Sequence, residues 1–200
     1  MTIQNLRQKL EQQKGQRQQI EKSLTTLRTT LTDDKRSLRR HEQAREIVRE
    51  VGIATQNQIS FHISDITSLA LDAVFDNPYE LKVEFVQRRN KTECDLTFVR
   101  DGMQIDPLTA SGVGAVDVAA FALRIASWSM AHPKSRNVII LDEPFKFLSE
   151  NYQDRASAMV KELSEKLGLQ FIIVTHEPIL ASYADKVFEV SIHRGKSKVK

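Results

Sequence analysis

Three short stretches of this 200-residue chain carry residue types whose spacing suits work on a phosphate group. In "NVIILDEP", residues 137–144, four apolar residues run into Asp142 and Glu143, and Pro144 turns the chain away. An apolar strand holds such acids rigidly at its carboxyl end, where ligands of open α/β sheets bind. The first acid can then hold Mg²⁺ through water, and the second can face an attacking water. In "FIIVTHEP", residues 171–178, four apolar residues and Thr175 lead to His176. A histidine at the end of a neighbouring strand can bond a phosphate and the same water. In "SGVGAVDVAAFALRIA", Ser111, Gly112 and Gly114 precede an alanine-rich helix. Free N–H groups at a helix start favour an anion, and glycines let it come close to the backbone. Each stretch alone is an ordinary strand end, surface histidine or helix cap. The combination is what points to one site.

A site of this kind needs a grip on the phosphates themselves, of the form G-x-x-x-x-G-K-[ST] between a strand and a helix. The seven glycines stand at 15, 52, 102, 112, 114, 168 and 195, and no two are five apart. Gly195-Lys196-Ser197 follows a strand-like run, but Val190 occupies the first glycine position and no helix follows. The chain carries no phosphate loop of that form.

Two unlike parts surround these residues. Before Pro78 there is no proline, and residues 1–50 follow a heptad. With Ile3 as an a position, the a/d series runs Ile3, Leu6, Leu10, Gln13, Arg17, Ile20, Leu24, Leu27, Leu31, Asp34, Leu38, His41, Arg45, Val48. Nine of these fourteen are aliphatic, which predicts a coiled-coil seam. Fifty helical residues at ~1.5 Å each make an arm of about 75 Å. A single helix this polar needs a partner helix. Asp34, His41 and Arg45 weaken the seam toward its far end, and the arm is expected to continue into the domain without a linker. The expected division is a coiled-coil arm over 1–55 and a lobe over 56–200. In the lobe, Ser64/Asp65 predict a helix start and Asn77-Pro78 its stop. "LKVEFVQ" and "CDLTFV" predict a hairpin around "RRNKT". Residues 113–130 predict a helix, and residues 152–168 an amphipathic helix closed by Gly168. "NVIILD", "QFIIV" and "KVFEVSI" predict three buried strands. The order strand, helix, strand implies an α/β fold with a mainly parallel sheet flanked by helices.

Lys and Arg number 29 against 26 Asp and Glu, so net charge excludes little. Residues 1–50 hold 12 basic and 7 acidic side chains, leaving 17 against 19 elsewhere. A basic arm and the tail "HRGKSKVK" can meet nucleic acid or simply stay solvated. The single Cys94 excludes an intramolecular disulfide framework and a Cys-x-x-Cys zinc site. No uninterrupted apolar run of 18 residues and no signal-type start occur, so a soluble cytoplasmic protein with no membrane partner is expected.

Together the motifs resemble the C-terminal half of an ABC-type ATPase head of the SMC/SbcC/RecF group. "ASGVGAVDVAAFALRIA" is similar to the signature motif and its helix, "IILDEP" to Walker B, and "VTHEP" to the His switch. That half also begins with the returning arm of a coiled coil, so the resemblance covers the whole chain. It implies ATP and Mg²⁺ as ligands, both requiring a partner lobe. It implies that Asp142 holds the metal through water, Glu143 orients or deprotonates water, and His176 senses the γ-phosphate. Ser111, Gly112 and Gly114 would reach a nucleotide across a dimer interface. In this group the phosphate loop lies in an N-terminal lobe, so the implied partner is a Walker A-bearing lobe or subunit with a matching coil arm. DNA and an SbcD-like nuclease are implied as further partners, with a role in DNA repair or recombination. Counted back from Arg124, the signature serine position falls on Gly112, so Ser111 or Gly112 takes that role. Ala115 replaces the usual acidic or polar residue, and Leu148-Ser149 stands where the group has Leu-Asp. These departures fit an alternative expectation, a non-hydrolysing coiled-coil module that pairs with a head or with DNA.

Overall fold

The computed structural model describes residues 3–89, 91–109, 111–193 and 196–200. Its elements are α1 (Ile3–Val74), β1 (Glu80–Arg88), β2 (Lys91–Arg100), β3 (Met103–Ile105), α2 (Val113–Met130) and β4 (Val138–Asp142). They continue with α3 (Glu150–Leu167), β5 (Gln170–Val174), α4 (Pro178–Ser182), β6 (Val190–His193) and β7 (Lys196–Val199). The chain separates into two compact units, Met1–Thr55 and Gln56–Lys200, and the division falls inside α1.

In the first unit every described aliphatic a/d side chain is exposed, from 43 % at Leu24 to 75 % at Ile3. A helix whose apolar stripe meets only water gains little from packing. The stripe is therefore solvent-exposed along the described length of the arm.

In the second unit α1 shows no start at Ser64/Asp65; it is unbroken there. The apolar spacing that suggested a new helix is the inner face of the old one, with Thr67, Ala70, Leu71 and Val74 buried. The helix stops at Val74, before Asn77-Pro78, where proline disfavours helical backbone in the residue ahead of it. Ser60 donates to the Val83 carbonyl (3.1 Å), the Leu81 N–H donates to Ser68 (2.9 Å), and His62 bonds Ser129 (3.0 Å). These bonds fix the end of α1 against β1 and α2.

β1 and β2 form the expected hairpin, but in a tighter register, with Arg88 opposite Lys91. Only Arg89, at φ 50°, and residue 90 lie between them, because Arg88 and Lys91–Thr92 join the ladder. β3 adds an antiparallel third strand that the polar run after Arg100 did not suggest.

The centre of the lobe is the parallel pair β4–β5, joined through α3, with Ile140 opposite Ile172 and Asp142 opposite Val174. Gly168 closes α3 in the left-handed region, φ 61°, as glycine tolerates. Ile139, Leu141, Phe171 and Ile173 turn to the core formed by α2, α3 and the end of α1. Parallel pairing is confined to β4–β5 among the described residues. Of the expected third strand, Lys186–Glu189 carries no strand pairing, and Val190–His193 pairs antiparallel with β7 instead. A cavity of about 410 Å³, lined by Phe171, Ile173, Val187 and Phe188 among others, separates that segment from β5. At its end Glu189 exchanges backbone hydrogen bonds with Lys200 (3.2 and 3.0 Å), so the segment leads into the β6–β7 pair rather than extending the β4–β5 sheet. Lys196 and Ser197 lie in β7, whereas Gly195 falls outside the described residues.

α2 is long and apolar enough to cross a membrane by length and composition. Asp117 and Arg124 interrupt it, and Val118, Ala122, Ile125 and Ala126 are buried among the lobe's own side chains. It packs as a core helix.

Candidate functional site

β4 and β5 end side by side, and the residues that follow them meet. Asp142 closes β4 opposite Val174, which closes β5. The chain then bends at Glu143, whose φ of 46° is unusual for a residue with a side chain. Its N–H still donates to the Val174 carbonyl at 2.8 Å, so the bend begins while the backbone is tied to the sheet. The bend aims the Glu143 carboxylate across the strand ends. His176 Nδ1 stands 2.8 Å from one carboxylate oxygen, and the Thr175 hydroxyl 3.5 Å from the other.

The electrostatics follow from this contact. The hydrogen bond from His176 holds the Glu143 carboxyl below its ordinary range, against a smaller opposing effect of burial. The same bond raises His176, with the charge on Glu143 adding to it and Lys146 slightly opposing it. Glu177 approaches the other ring nitrogen at 3.9 Å and adds to the rise. The pair thus favours a carboxylate beside an imidazolium, a group that donates from both nitrogens, the second of which stands 3.9 Å from Glu177. His176 is itself largely exposed, so that second nitrogen opens to solvent.

Thr175 has a part that its position before the histidine did not reveal. Its hydroxyl accepts the Glu177 N–H at 3.0 Å, closing a small turn that sets the direction of His176. A Thr directly between an apolar strand and a His-Glu pair is the signal that could have found it.

Asp142 is exposed at the mouth of the strands. Among the described residues no group of three or more His, Cys, Asp or Glu could hold a metal by itself. A single strand-end carboxylate suits Mg²⁺, which keeps several waters and binds through one or two carboxylates plus phosphate oxygens.

Ser111, Gly112 and Gly114 stand ahead of and within the first turn of α2. Gly112 is the N-cap, with extended backbone and no side chain to satisfy the N–H groups of that turn. Ser111 donates its hydroxyl to the Pro107 carbonyl instead. No hydrogen bond among the described residues links these three to Glu143 or His176. Gly114 is connected in another way. A Cβ there would stand 2.7 Å from Leu148 Cδ2 and 3.3 Å from the Phe147 carbonyl oxygen. The start of α2 therefore lies directly on the loop that leaves Glu143. Phe145, buried at φ 65°, packs edge-on against Phe121 of α2 at 5.3 Å and anchors that loop. Asp117 completes the contact. Burial pushes its carboxyl up, the Phe147 N–H and Lys146 oppose this, and its Oδ2 has no partner. An acid on the inner half of an otherwise apolar helix was visible in the sequence and marks this junction.

With this geometry in view, the chain can be set beside known proteins. No family profile matches it. It is 38 % identical over 55 residues to the glucose import ATP-binding protein GlcV of Saccharolobus solfataricus, covering 27 % of this chain and 16 % of that protein. The chain thus matches less than a fifth of that relative's length. In three dimensions it matches the Smc head domain with coiled coil and joint of Pyrococcus yayanosii, with TM-score 0.63 and 20 % identity, over 89 % of this chain and 33 % of that one. It also matches a chain solved in work on ATP-driven dimerization and DNA-stimulated activation of SMC ATPases. That match has TM-score 0.58 and 21 % identity, over 76 % of this chain and 87 % of the other. The α/β lobe with its long leading helix therefore has the fold of SMC-type ATPase heads.

Proposed function

We propose that this chain is the C-terminal half of an SbcC/SMC-like ATPase head and supplies part of a composite ATP site. The observation that carries the reading is the Glu143–His176 bond of 2.8 Å at the paired ends of β4 and β5. In this reading Glu143, held ionised by His176, orients or deprotonates the attacking water. His176 keeps one nitrogen on Glu143 and offers the other to the γ-phosphate. Asp142 holds Mg²⁺ through its waters; when bound, the metal neutralises charge on the phosphates. Ser111, Gly112 and Gly114 present the uncapped N–H groups of α2 to a nucleotide held by an opposing head, with Gly112 filling the signature serine position by its backbone. The phosphate loop and its lysine come from a separate Walker A-bearing lobe. DNA, and an SbcD-like nuclease acting on it in repair or recombination, are the partners this reading carries, in the cytoplasm.

The bare side of β4–β5 supports it. Val138, Ile140, Ile172 and Val174 form an exposed aliphatic face, and the far edge of β5 is unpaired among the described residues. Parallel sheets are normally covered on both faces. A strand along β5 followed by a helix over that face would bring its connecting loop to the strand ends where Asp142, Glu143 and His176 stand.

A second reading has one observation in its favour. Ser149, standing where the group has aspartate, occupies the N-cap position of α3 and makes no side-chain cap hydrogen bond. A loop that lacks this carboxylate suits a non-hydrolysing module that pairs with a head or with DNA.

ATP turnover separates the two. The chain alone is expected to be silent, because two acids and a histidine cannot grip a triphosphate without the loop's N–H groups and lysine. Joined by a loop-bearing SbcC-type lobe, it should turn over, and Glu143→Gln should lower the rate by ~10²–10⁴. Turnover by the isolated chain, lost in Glu143→Gln, would overturn the composite-site reading. A complex that binds ATP but does not hydrolyse it would favour the module.

A further inference from the structure

We propose that Glu177 gates His176: its carboxylate faces the outward ring nitrogen and must be displaced before a phosphate reaches that nitrogen. The phosphate comes from the composite-site reading, on which the gate rests; the contact between the two side chains does not depend on it.

The ring of His176 lies between two carboxylates. Its Nδ1 is 2.8 Å from Glu143 and its Nε2 is 3.9 Å from Glu177. The first distance is a hydrogen bond, and the second is too long for one. Glu177 is therefore a facing charge and not a bonded partner. A phosphate oxygen can take its place at Nε2 without breaking a hydrogen bond, whereas displacing Glu143 breaks one. The ring thus has one fixed acid and one exchangeable acid.

The ordinary uses of such a glutamate are not made. Glu177 stands at the N-cap of α4, yet its side chain makes no cap hydrogen bond. It is not a freely solvated acid either, because its side chain is only 25 % exposed. Among the described residues its one ionic contact is with His176. Its backbone N–H donates to the Thr175 hydroxyl at 3.0 Å, which turns the chain directly after His176. The turn that sets the direction of the ring therefore also sets the acid beside it.

Charge decides what this arrangement does. The ring meets Glu143 and Lys146 from the loop after β4, and Glu177 from its own segment. Glu143 raises the ring most, Glu177 adds to the rise, and Lys146 opposes it. An anion that approaches Nε2 finds a negative charge already facing that donor, and like charges repel at this range. A free phosphate has nothing to offset the repulsion. A γ-phosphate gripped by a phosphate loop arrives with its charge countered by the loop's lysine, and it can push Glu177 aside. His176 is then withheld from stray anions and released to a nucleotide that is fully held. This is specificity by exclusion.

The test is Glu177→Gln, which keeps the shape and removes the charge. In the full chain alone, proton NMR titration of His176 should show a lower midpoint than in the unaltered chain, with a smaller drop than Glu143→Gln causes. An unmoved midpoint would mean that Glu177 does not face the ring in solution, and would overturn the proposal. In complex with a loop-bearing SbcC-type lobe, Glu177→Gln should lower the KM for ATP by roughly fivefold, the factor that one like charge about 4 Å away is worth in water. Its kcat should hold within about twofold, as expected when only exclusion from the ground state is removed. A KM that stays the same or rises would overturn the gate, whatever kcat does. If the complex of the unaltered chain hydrolysed nothing, the composite-site reading would fall and the gate with it. Turnover by that complex, with KM unchanged in Glu177→Gln, would remove the gate alone, so the two failures are told apart.

Discussion

Ile140 and Leu141 are neighbours on one strand and nearly the same in size and polarity, yet they live in different surroundings. Leu141 is 2 % exposed and Ile140 68 %. The difference arises because successive strand residues point to opposite faces, and here α2 and α3 cover only one of them. What the contrast teaches is that the covered face stabilises this lobe, and that the bare one is shaped for something else.

The strongest way to break that contrast is to remove the covered side chain. Leu141→Ala should destabilise the lobe by about 2–5 kcal/mol, the usual cost of an aliphatic cavity in a packed core. Chemical denaturation followed by circular dichroism measures it. A loss well below 1 kcal/mol would mean that the covered face is not where the stability lies.

The next effect lies where the covered face meets the site. Gly114→Ala places a methyl group 2.7 Å from the end of the Leu148 side chain and 3.3 Å from the Phe147 carbonyl. Leu148 can yield by a rotamer change, but the backbone oxygen yields less easily. The expected cost is about 1–3 kcal/mol from overpacking, with displacement of the loop that carries Glu143. Stability and the His176 ring resonances should then change together; a change in stability alone would separate α2 from the site.

How much of this was legible beforehand varied with the physics involved. α2 could be read to its ends, because an alanine-rich apolar helix between a glycine turn and a His-Pro pair has one plausible extent. The strands β4 and β5 were equally clear, since short β-branched runs ending in Asp-Glu and Thr-His admit few alternatives. What failed was anything set by distant partners. The Ser64/Asp65 start was wrong because capping residues inside a long helix are silent when the helix has no reason to stop. The strand expected at residues 186–192 shifted because its end pairs antiparallel with the last residues of the chain instead of lying along β5. Glu143 could be picked out as an acid at a strand end, but not its bent backbone or its bond to His176. Those depend on Val174 lying opposite Asp142, a register that only folding sets.

The third test asks whether the site is already formed while one face stays bare. The bond to Glu143 raises the histidine, so His176 should titrate above an ordinary histidine in the isolated chain. The sign runs through linkage: a raised folded value means that the pair's contribution is full below the ordinary histidine pKa and is lost as pH rises through the raised one. Glu143, being lowered, gives the opposite limit, its contribution fading as pH falls through its own depressed value. Proton NMR titration of the ring should show the elevated midpoint, and Glu143→Gln should bring it down toward the ordinary value. An ordinary midpoint in the unaltered chain would mean that the strand ends come together only when the bare face is covered.

The smallest effect is the most discriminating. Ile140→Thr shortens and hydroxylates the most exposed aliphatic side chain of the bare face. In the isolated lobe it should change stability by no more than about 0.5 kcal/mol, as surface substitutions do, because the side chain gives up no contacts and the hydroxyl stays in water. Threonine suits a strand as well as isoleucine does, so backbone propensity is not disturbed. Against a lobe that covers the face, the same change buries an unpaired hydroxyl and removes a methyl group from the contact, at about 1–3 kcal/mol for the hydroxyl alone. The substitution should therefore be silent in denaturation of the chain by itself and weaken binding of a loop-bearing lobe by about tenfold or more. If it destabilised the isolated chain as much as Leu141→Ala, the face would already be covered in solution, and the contrast between these two neighbouring residues would vanish.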